Sequence, residues 1–267
     1  MCDLLVVGPG VLGLLVARAW SRSQPGARVT LKFRTEKAER RTELEREGFS
    51  VISEEGGEPC SAPLVVFCAP PTGNPHYAEN IKTTIQSHWA SSRPDSVMVF
   101  TSSGSVYREN SGGQVDELSP TAETERASAL LAGEEAVLGG GGCVVRLAGL
   151  YSLQRGPQSY WGRGGQFSSP PAGLINLLHY EDAGGAVRSC LQQPKVVRGE
   201  RFLASDGTPV SRQQIVSAAG VADRVQFTGG EHIDGKRYNT NKIRTTLGWE
   251  PTYASITEFY KSVNENT

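Results

Sequence analysis

The stretch Asp3–Trp20, DLLVVGPGVLGLLVARAW, constrains the fold more than any other part of the chain. An apolar run from Leu4 to Val7 stops at a glycine turn, and an apolar-faced helix follows at once. Gly8, Gly10 and Gly13 carry the G-x-G-x-x-G spacing, read here as G-P-G-V-L-G. In that pattern the first glycine allows a tight turn and the second lets the backbone approach a pyrophosphate. The third lets the new helix pack closely on the strand. The helix N-terminus then presents free N–H groups and a partial positive charge to phosphates. Set between a strand and a helix, the motif predicts a dinucleotide cradle rather than a plain structural turn. Its expected contacts are Gly8, Gly10, Val11, Leu12 and Gly13.

Strand and helix patterns alternate from there. ARVTLKFR (27–34) reads as a second strand and EKAERRTELEREG (36–48) as a charged, solvent-facing helix ended by glycine. FSVIS is a short third strand, PLVVFCA (63–69) a fourth and SVMVFTSS (96–103) a fifth, with helical periodicity over 76–90 between the last two. A helix over 122–138 runs into the Gly139–Gly142 stop, and CVVRLAGLY (143–151) is a sixth strand. Apolar strands alternating with helices predict a doubly wound parallel α/β sheet of Rossmann type, covered on both faces. The expected organisation is a dinucleotide-binding domain over 1–151. A loop and small C-terminal α/β substrate lobe follow over 152–267, with 176–193 returning to the core. Residues 152–173, rich in Gly, Pro, Gln and Ser, read as a loose functional or mobile loop.

Composition narrows the partners. Over 267 residues the formal net charge is −1, which gives no sign of nucleic acid or an anionic membrane as partner. No apolar run reaches the roughly 20 residues of a membrane span. The five cysteines are scattered without metal spacing and read as reduced thiols, so no metal site is expected. A strand beginning at residue 3 leaves no room for a leader, although a trimmed precursor would have lost one. The expectation is a soluble intracellular protein, cytoplasmic or, with a transit peptide removed, plastid. The partner is a small-molecule substrate, and the sequence fixes no oligomeric state.

The end of the second strand selects between cofactors. A carboxylate there suits the ribose 2′-hydroxyl of NAD, and a basic residue suits the 2′-phosphate of NADP. Here the segment reads Lys32-Phe33-Arg34-Thr35, with Lys37 close behind and no carboxylate at the strand end. Arg34 can fork onto a phosphate and Thr35 can donate a hydroxyl hydrogen bond. NADP is therefore expected over NAD, the alternative being that these are solvated charges leading into a charged helix. The loop Ala69-Pro70-Pro71 after the fourth strand is expected beside the adenosine ribose and pyrophosphate. Thr101 and Leu147, at the ends of the fifth and sixth strands, complete the expected cofactor contacts.

From Thr101-Ser102-Ser103-Gly104-Ser105-Val106-Tyr107 onward the chain resembles an extended or atypical short-chain dehydrogenase/reductase, more narrowly the NAD(P)-dependent or nucleoside-diphosphate-sugar epimerase/dehydratase-like proteins. The segments Arg146–Tyr151, Ile175–Asp182, Lys242–Arg244 and Leu247–Trp249 carry the same resemblance. It implies an oxidoreductase or epimerase acting on a small polar or sugar-nucleotide-like substrate. Catalytically typical members carry a Tyr and a Lys four apart on the helix after the fifth strand, which stacks them on one face. The cation lowers the phenol pKa for acid/base work while a strand-end hydroxyl orients the substrate oxygen. Ser102 and Ser103 supply that hydroxyl. The helix does not supply the pair: with Glu134 matched to the family's helix carboxylate, Arg126 and Leu130 stand at its positions, and residues 108–150 contain no Tyr.

The nearest phenol is Tyr107, expected on the rim of the cofactor cleft, where it contacts substrate or replaces the missing acid unless it is a packed loop aromatic. Tyr238 and Lys242 have the four-residue spacing but sit in the C-terminal segment, away from the strand-end serines. Asn176, Arg155 and Trp161 are candidates to line a substrate pocket, Trp161 equally to anchor the loop. His179 and Arg146 read as structural. Catalytic candidates are thus Ser102, Ser103 and Tyr107. The alternatives are a dinucleotide-binding sensor, scaffold or assembly protein without turnover, and a reductase whose proton comes from water or substrate.

Overall fold

Short apolar runs bounded by glycines become the strands of one sheet in the computed structural model, which describes residues 2–35, 38–53 and 60–265. The first half of the chain alternates β1 (Leu4–Val7), α1 (Val11–Ser23), β2 (Val29–Phe33), α2 (Ala38–Arg46), β3 (Ser50–Ser53), β4 (Leu64–Phe67), α3 (Tyr77–His88) and β5 (Val97–Ser103). It continues through β6 (Ser111–Val115), α4 (Glu125–Gly139), β7 (Cys143–Leu147), β8 (Gly149–Tyr151), α5 (Pro157–Trp161) and β9 (Gly165–Phe167). Next come β10 (Leu174–Ile175), β11 (Leu177–His179), α6 (Tyr180–Gln192), α7 (Pro194–Val197), β12 (Arg201–Ala204) and β13 (Val210–Ser211). The chain ends with α8 (Arg212–Ala218), β14 (Val225–Phe227), β15 (Gly235–Tyr238), α9 (Asn241–Leu247) and α10 (Ile256–Glu265).

Seven strands form the parallel central sheet in the order β12-β7-β5-β4-β1-β2-β3, a Rossmann arrangement. β1 pairs in parallel with β2 on one side and with β4 on the other, Val7 standing beside both Lys32 and Phe67. The strand order therefore reverses at β1, and in open sheets of this kind ligands bind beyond the carboxyl ends at that switch point. All four residues of β1 are buried, which is why the run is apolar without alternation. α1 buries Leu12, Gly13, Val16, Ala17 and Trp20 along one stripe. α2 buries only Leu44, in keeping with its charged sequence. No described helix is long and apolar enough to cross a membrane.

The chain divides into two compact units. Unit 1 is Met1–Ser102, Ser128–Val145 and Gly184–Arg201; unit 2 is Ser103–Ala127, Arg146–Ala183 and Phe202–Thr267. Unit 2 has its own core, in which Tyr151, Trp161, Leu177, Val210, Ile215, Val216, Ile256 and Phe259 cluster. Its strands pair two by two: β8 with β11, β9 with β14 and β6 with β15 in parallel, β10 with β13 antiparallel.

Two expectations about elements need correction. The loose loop over 152–173 contains α5, opened by Pro157 at its first turn, and β9, paired to β14. Trp161 is buried at the end of α5 with its ring edge-on to Phe227 at 5.5 Å, so burial of an aromatic overrides the polar composition around it. The sixth strand breaks at Ala148, whose N–H donates to the Ala204 carbonyl. β7 stays in the central sheet and β8 leaves it to pair with β11.

Candidate functional site

The glycine turn is sterically determined. Gly8 has φ +70°, and a Cβ there would lie 2.6 Å from the Ala69 backbone, so only glycine lets the loop after β4 pass against the turn. The Gly8 N–H donates to the Lys32 carbonyl and the Gly10 N–H to the Gly8 carbonyl at 2.7 Å, closing the turn. A Cβ at Gly13 would meet Val6 Cγ1 at 3.0 Å, which measures how closely α1 lies on β1. At Gly10 an added Cβ meets nothing within 4 Å, so this backbone faces open space. α1 has no side-chain cap and no acid in its first turn. Its first helical bond is Leu14 N–H to Gly10 C=O, and the N–H groups before Leu14 point out of the helix end. Val11 is exposed while Leu12 is buried in the helix–sheet layer.

Beside this turn unit 1 holds a cavity of about 440 Å³. Its sheet side is Val7, Gly8 and Phe67; Lys32 to Thr35 form one wall; Ala69, Pro70, Thr72 and Asn74 another; and Asn80, Thr83 and Thr84 of α3 the third. Arg34 and Thr35 are exposed at its mouth, where Arg34 Nη1 donates to the Gly73 carbonyl at 2.9 Å. That bond carries the guanidinium across from the end of β2 to the loop after β4. Tyr77 Oη donates to the Ala69 carbonyl and the Asn74 N–H to the Pro71 carbonyl, which fixes the proline loop. Thr101 Oγ1 donates to the Phe67 carbonyl at 3.2 Å. Its neighbour Cys68 is pushed up to about 12 by burial, an inert thiol. Lys37 lies outside the described residues. Leu147 is buried in unit 2.

Lys32 and the three α3 residues are cavity groups that the sequence reading missed. Lys32 lies on β2 directly before Phe33, and both line the cavity with Arg34 and Thr35. Arg40 of α2 stands over the Phe33 ring at 5.4 Å and donates to the Pro9 carbonyl beside the glycine turn.

The catalytic candidates do not converge. Ser102 is 4% exposed, and its hydroxyl donates to Glu134 Oε1 at 2.6 Å. Glu134, itself buried on α4, accepts from Arg201 Nε through its other oxygen at 3.0 Å. The Ser102 proton is committed to that carboxylate. Ser103 Oγ accepts from the Ser105 N–H at 3.2 Å, capping a short turn, and donates to no acceptor among the described residues. Tyr107 is corrected more sharply: it is 2% exposed inside unit 2 and not at a rim. The Arg146 guanidinium lies 4.9 Å over its ring, Tyr238 packs edge-on at 6.0 Å, and Lys236 Nζ donates to its carbonyl.

Tyr238 was expected away from the strand-end serines, and within unit 2 the structure seats it against Gly104. A Cβ added to Gly104, the residue after Ser103, would collide with the Tyr238 hydroxyl. Even so, Tyr238 and Lys242 are not a catalytic pair on one helix face. Tyr238 ends β15, whereas Lys242 lies on α9 with its ammonium 5.3 Å over the Phe202 ring. Burial pushes the Tyr238 phenol up, opposite to the lowering that a proton-transfer tyrosine needs. At the helix positions matched to the missing pair, Leu130 is buried and Arg126 exposed. Asn176 clamps backbone, donating to the Lys236 carbonyl and accepting from the Tyr238 N–H. His179 packs among Tyr151, Tyr253 and Phe259, and burial pulls its pKa down.

No protein-family model matches the chain, and no curated protein matches it in sequence. Solved structures do match. A functionally unknown conserved protein from Silicibacter pomeroyi superposes with a TM-score of 0.77 at 20% identity, over 100% of this chain and 99% of the other. The dTDP-glucose 4,6-dehydratase of Bacillus anthracis, solved with NAD, gives 0.72 at 15% identity over 100% and 97%. The UDP-N-acetylglucosamine 4-epimerase of Bacillus cereus gives 0.69 at 16% over 99% and 100%. The chain thus has the fold of the extended short-chain dehydrogenase/reductase and epimerase/dehydratase structures along its whole length.

Proposed function

We propose that the chain binds NADP in unit 1 and is an epimerase/dehydratase-like oxidoreductase acting on a small polar or sugar-nucleotide-like substrate. One observation carries the binding half: a glycine turn that only glycine can make opens onto a cavity whose β2 wall ends in Arg34 and Thr35, with no carboxylate in their place. Gly8, Gly10 and the first N–H groups of α1 would take the pyrophosphate. Arg34 and Thr35, with Lys37, would take the 2′-phosphate. The residues present therefore fit the group. When bound, the nicotinamide gives or accepts hydride, and the chain's part is to hold it and exclude water. Ser103, whose hydroxyl donates to no acceptor among the described residues, would orient a substrate oxygen. On this reading Ser102, bonded to Glu134, and Tyr107, buried, hold structure and do not move the substrate's proton.

A second reading, a dinucleotide-binding sensor, scaffold or assembly protein without turnover, is favoured by one specific observation. The helix after β5 presents a buried leucine, Leu130, where typical members carry half of the acid/base pair. Single-turnover assays separate the two. The NADP-loaded protein is mixed with UDP-glucose, UDP-N-acetylglucosamine and dTDP-glucose, and reduced cofactor is followed by fluorescence and product by chromatography. Conversion of any of these, lowered at least about tenfold in Ser103→Ala, supports the enzyme reading, since one oriented acid/base or hydrogen-bonding group typically contributes that much or more. Tight cofactor binding without conversion across the panel supports the second.

A further inference from the structure

We propose that Cys2 and Cys60 of unit 1 are a redox-responsive pair: a hydroperoxide oxidises Cys60, and Cys2 then closes it into a reversible disulfide. The inference goes beyond the cofactor reading and uses neither the glycine turn nor the cavity.

The two thiols are far apart in sequence and meet because they precede neighbouring strands. Cys2 lies just before β1 and Cys60 shortly before β4, which pair in parallel with Leu4 beside Leu64. Cys2 Sγ is 3.1 Å from the Leu4 carbonyl and 3.7 Å from the Arg28 carbonyl, at the entry to β2. Cys60 Sγ is 3.7 Å from the Thr30 hydroxyl, on β2 itself. The two thiols hydrogen-bond one another, and the Thr30 side chain bonds to both. From the other side, His88 at the end of α3 holds the Cys60 segment. Its Nδ1 donates to the Cys60 carbonyl at 3.0 Å, since a carbonyl can only accept, and the Ala62 N–H donates to the His88 carbonyl at 2.9 Å. Cys60 is therefore anchored against β2 rather than carried on a free loop.

The surroundings assign each sulfur its part. Cys60 is partly exposed, whereas Cys2 is buried. The hydrogen bond from Cys2, joined by one from Thr30, outweighs partial burial and holds the Cys60 thiol below its usual range. The same contact, then burial, pushes the Cys2 thiol up. Cys60 is the accessible thiolate and Cys2 the partner waiting beside it. Competition from the other cysteines is weak: Cys143 and Cys190 are wholly buried, and burial holds Cys68 as a thiol. In the first step the Cys60 thiolate attacks a peroxide oxygen. The S–O bond forms, the O–O bond breaks, and the second oxygen leaves as water or, from an organic hydroperoxide, as an alcohol. In the second step Cys2 sulfur attacks Cys60 sulfur. The S–S bond forms, the S–O bond breaks, and the Cys2 proton leaves with the departing hydroxide as water. The two thiols are oxidised by two electrons in all and the peroxide is reduced by two. A dithiol reverses the pair by exchange, becoming a disulfide itself.

The test treats the reduced full chain with a small excess of hydrogen peroxide at neutral pH, alkylates the remaining thiols after unfolding, and maps the peptides by mass spectrometry. The expected product is a single peptide pair joined through Cys2 and Cys60 within one chain, returned to free thiols by dithiothreitol. Cys60 is expected to react at least about tenfold faster than Cys68, the gain that a lowered thiol pKa gives in thiolate at neutral pH. In Cys2→Ser, Cys60 is expected to stop at the sulfenic acid, trapped by dimedone. In Cys60→Ser, Cys2 is expected to stay reduced. No Cys2–Cys60 link in the native protein overturns the proposal, as does a link formed only between separate chains or oxidation that reaches Cys68, Cys143 or Cys190 first. Oxidation of Cys2 in Cys60→Ser at the native rate overturns the assignment of Cys60 as the attacking sulfur. Should the variants fail to fold, the peptide map and the relative rates of the native protein decide it. None of these outcomes depends on dinucleotide binding, so failure here and failure of the cofactor reading are told apart.

Discussion

At Gly8 backbone and neighbour act together: φ is left-handed and the Ala69 backbone stands where a side chain would begin. Gly8→Ala is expected to cost on the order of 2–4 kcal/mol of stability by denaturant unfolding, from the strained φ and the displaced loop, and to weaken dinucleotide binding as well. At Gly104 the obstacle is a side chain. Gly104→Ala forces the Tyr238 ring and hydroxyl aside, and Tyr238→Ala removes the colliding atoms. Gly104→Ala is therefore expected to cost less in the Tyr238→Ala background than in the native chain, a coupling of about 1 kcal/mol in a double-mutant cycle.

Asp206 gives a pH-dependent test at the same scale. It is 4% exposed, and its Oδ2 has no hydrogen-bond partner among the described residues, while Oδ1 accepts from the Thr208 N–H. Burial raises its pKa from 3.8 to about 8. In the unfolded chain this carboxyl has lost its proton above about pH 4, and in the folded chain it keeps the proton to about 8. Between those values the folded state binds more protons, so stability falls as pH rises through the window and levels off above it. Asp206→Asn removes the ionisation and keeps the acceptor. It is expected to be more stable than the native chain at pH 8, by on the order of 2–5 kcal/mol, and nearly equal at pH 4. A difference independent of pH would contradict this account.

At the scale of elements, Glu134 joins three within unit 1. Sitting on α4, it takes the Ser102 hydroxyl at the end of β5 and Arg201 at the start of β12. Glu134→Ala leaves a buried hydroxyl and a guanidinium without their acceptor. Because Arg201 is partly exposed, the expected cost is about 2–3 kcal/mol by thermal or denaturant unfolding. Elements of this unit were legible because their signals are local: the glycine turn, the unbroken apolar strands and the charged α2 each fit within a dozen or so residues. What was not legible depends on contacts far apart in the chain. α5 and β9 sit in a polar, glycine-rich segment and are held by Trp161 and by pairing to β14. The break at Ala148 exists because Leu177 to His179 offer β8 another partner.

The same division holds for the site. Gly8, Gly13, Arg34 and Thr35 could be placed by motif and strand end, whereas Asn80, Thr83 and Thr84 could not, since nothing in a helical pattern tells which polar face a cavity will use. The serines show the limit most clearly. Adjacent in sequence, Ser102 and Ser103 read alike, and only the partner Glu134 separates a committed hydroxyl from an available one. Tyr238 packs against Gly104 despite its distance in sequence because β15 pairs with β6, bringing the C-terminal segment alongside the chain that follows Tyr107.

For the whole molecule, the fold matches that of a dTDP-glucose 4,6-dehydratase solved with NAD and of a UDP-N-acetylglucosamine 4-epimerase over nearly the full length of each chain. Binding is thus the central claim, and turnover is the separate question that the substrate panel decides. The most direct test is fluorescence titration of the native protein and Arg34→Ala with NADPH and NADH. The account predicts saturable binding of both to the native protein, NADPH tighter by about tenfold or more, with the ratio falling toward one in Arg34→Ala because a forked guanidinium–phosphate contact is lost. No saturable binding, or tighter NADH unaffected by the substitution, would contradict it.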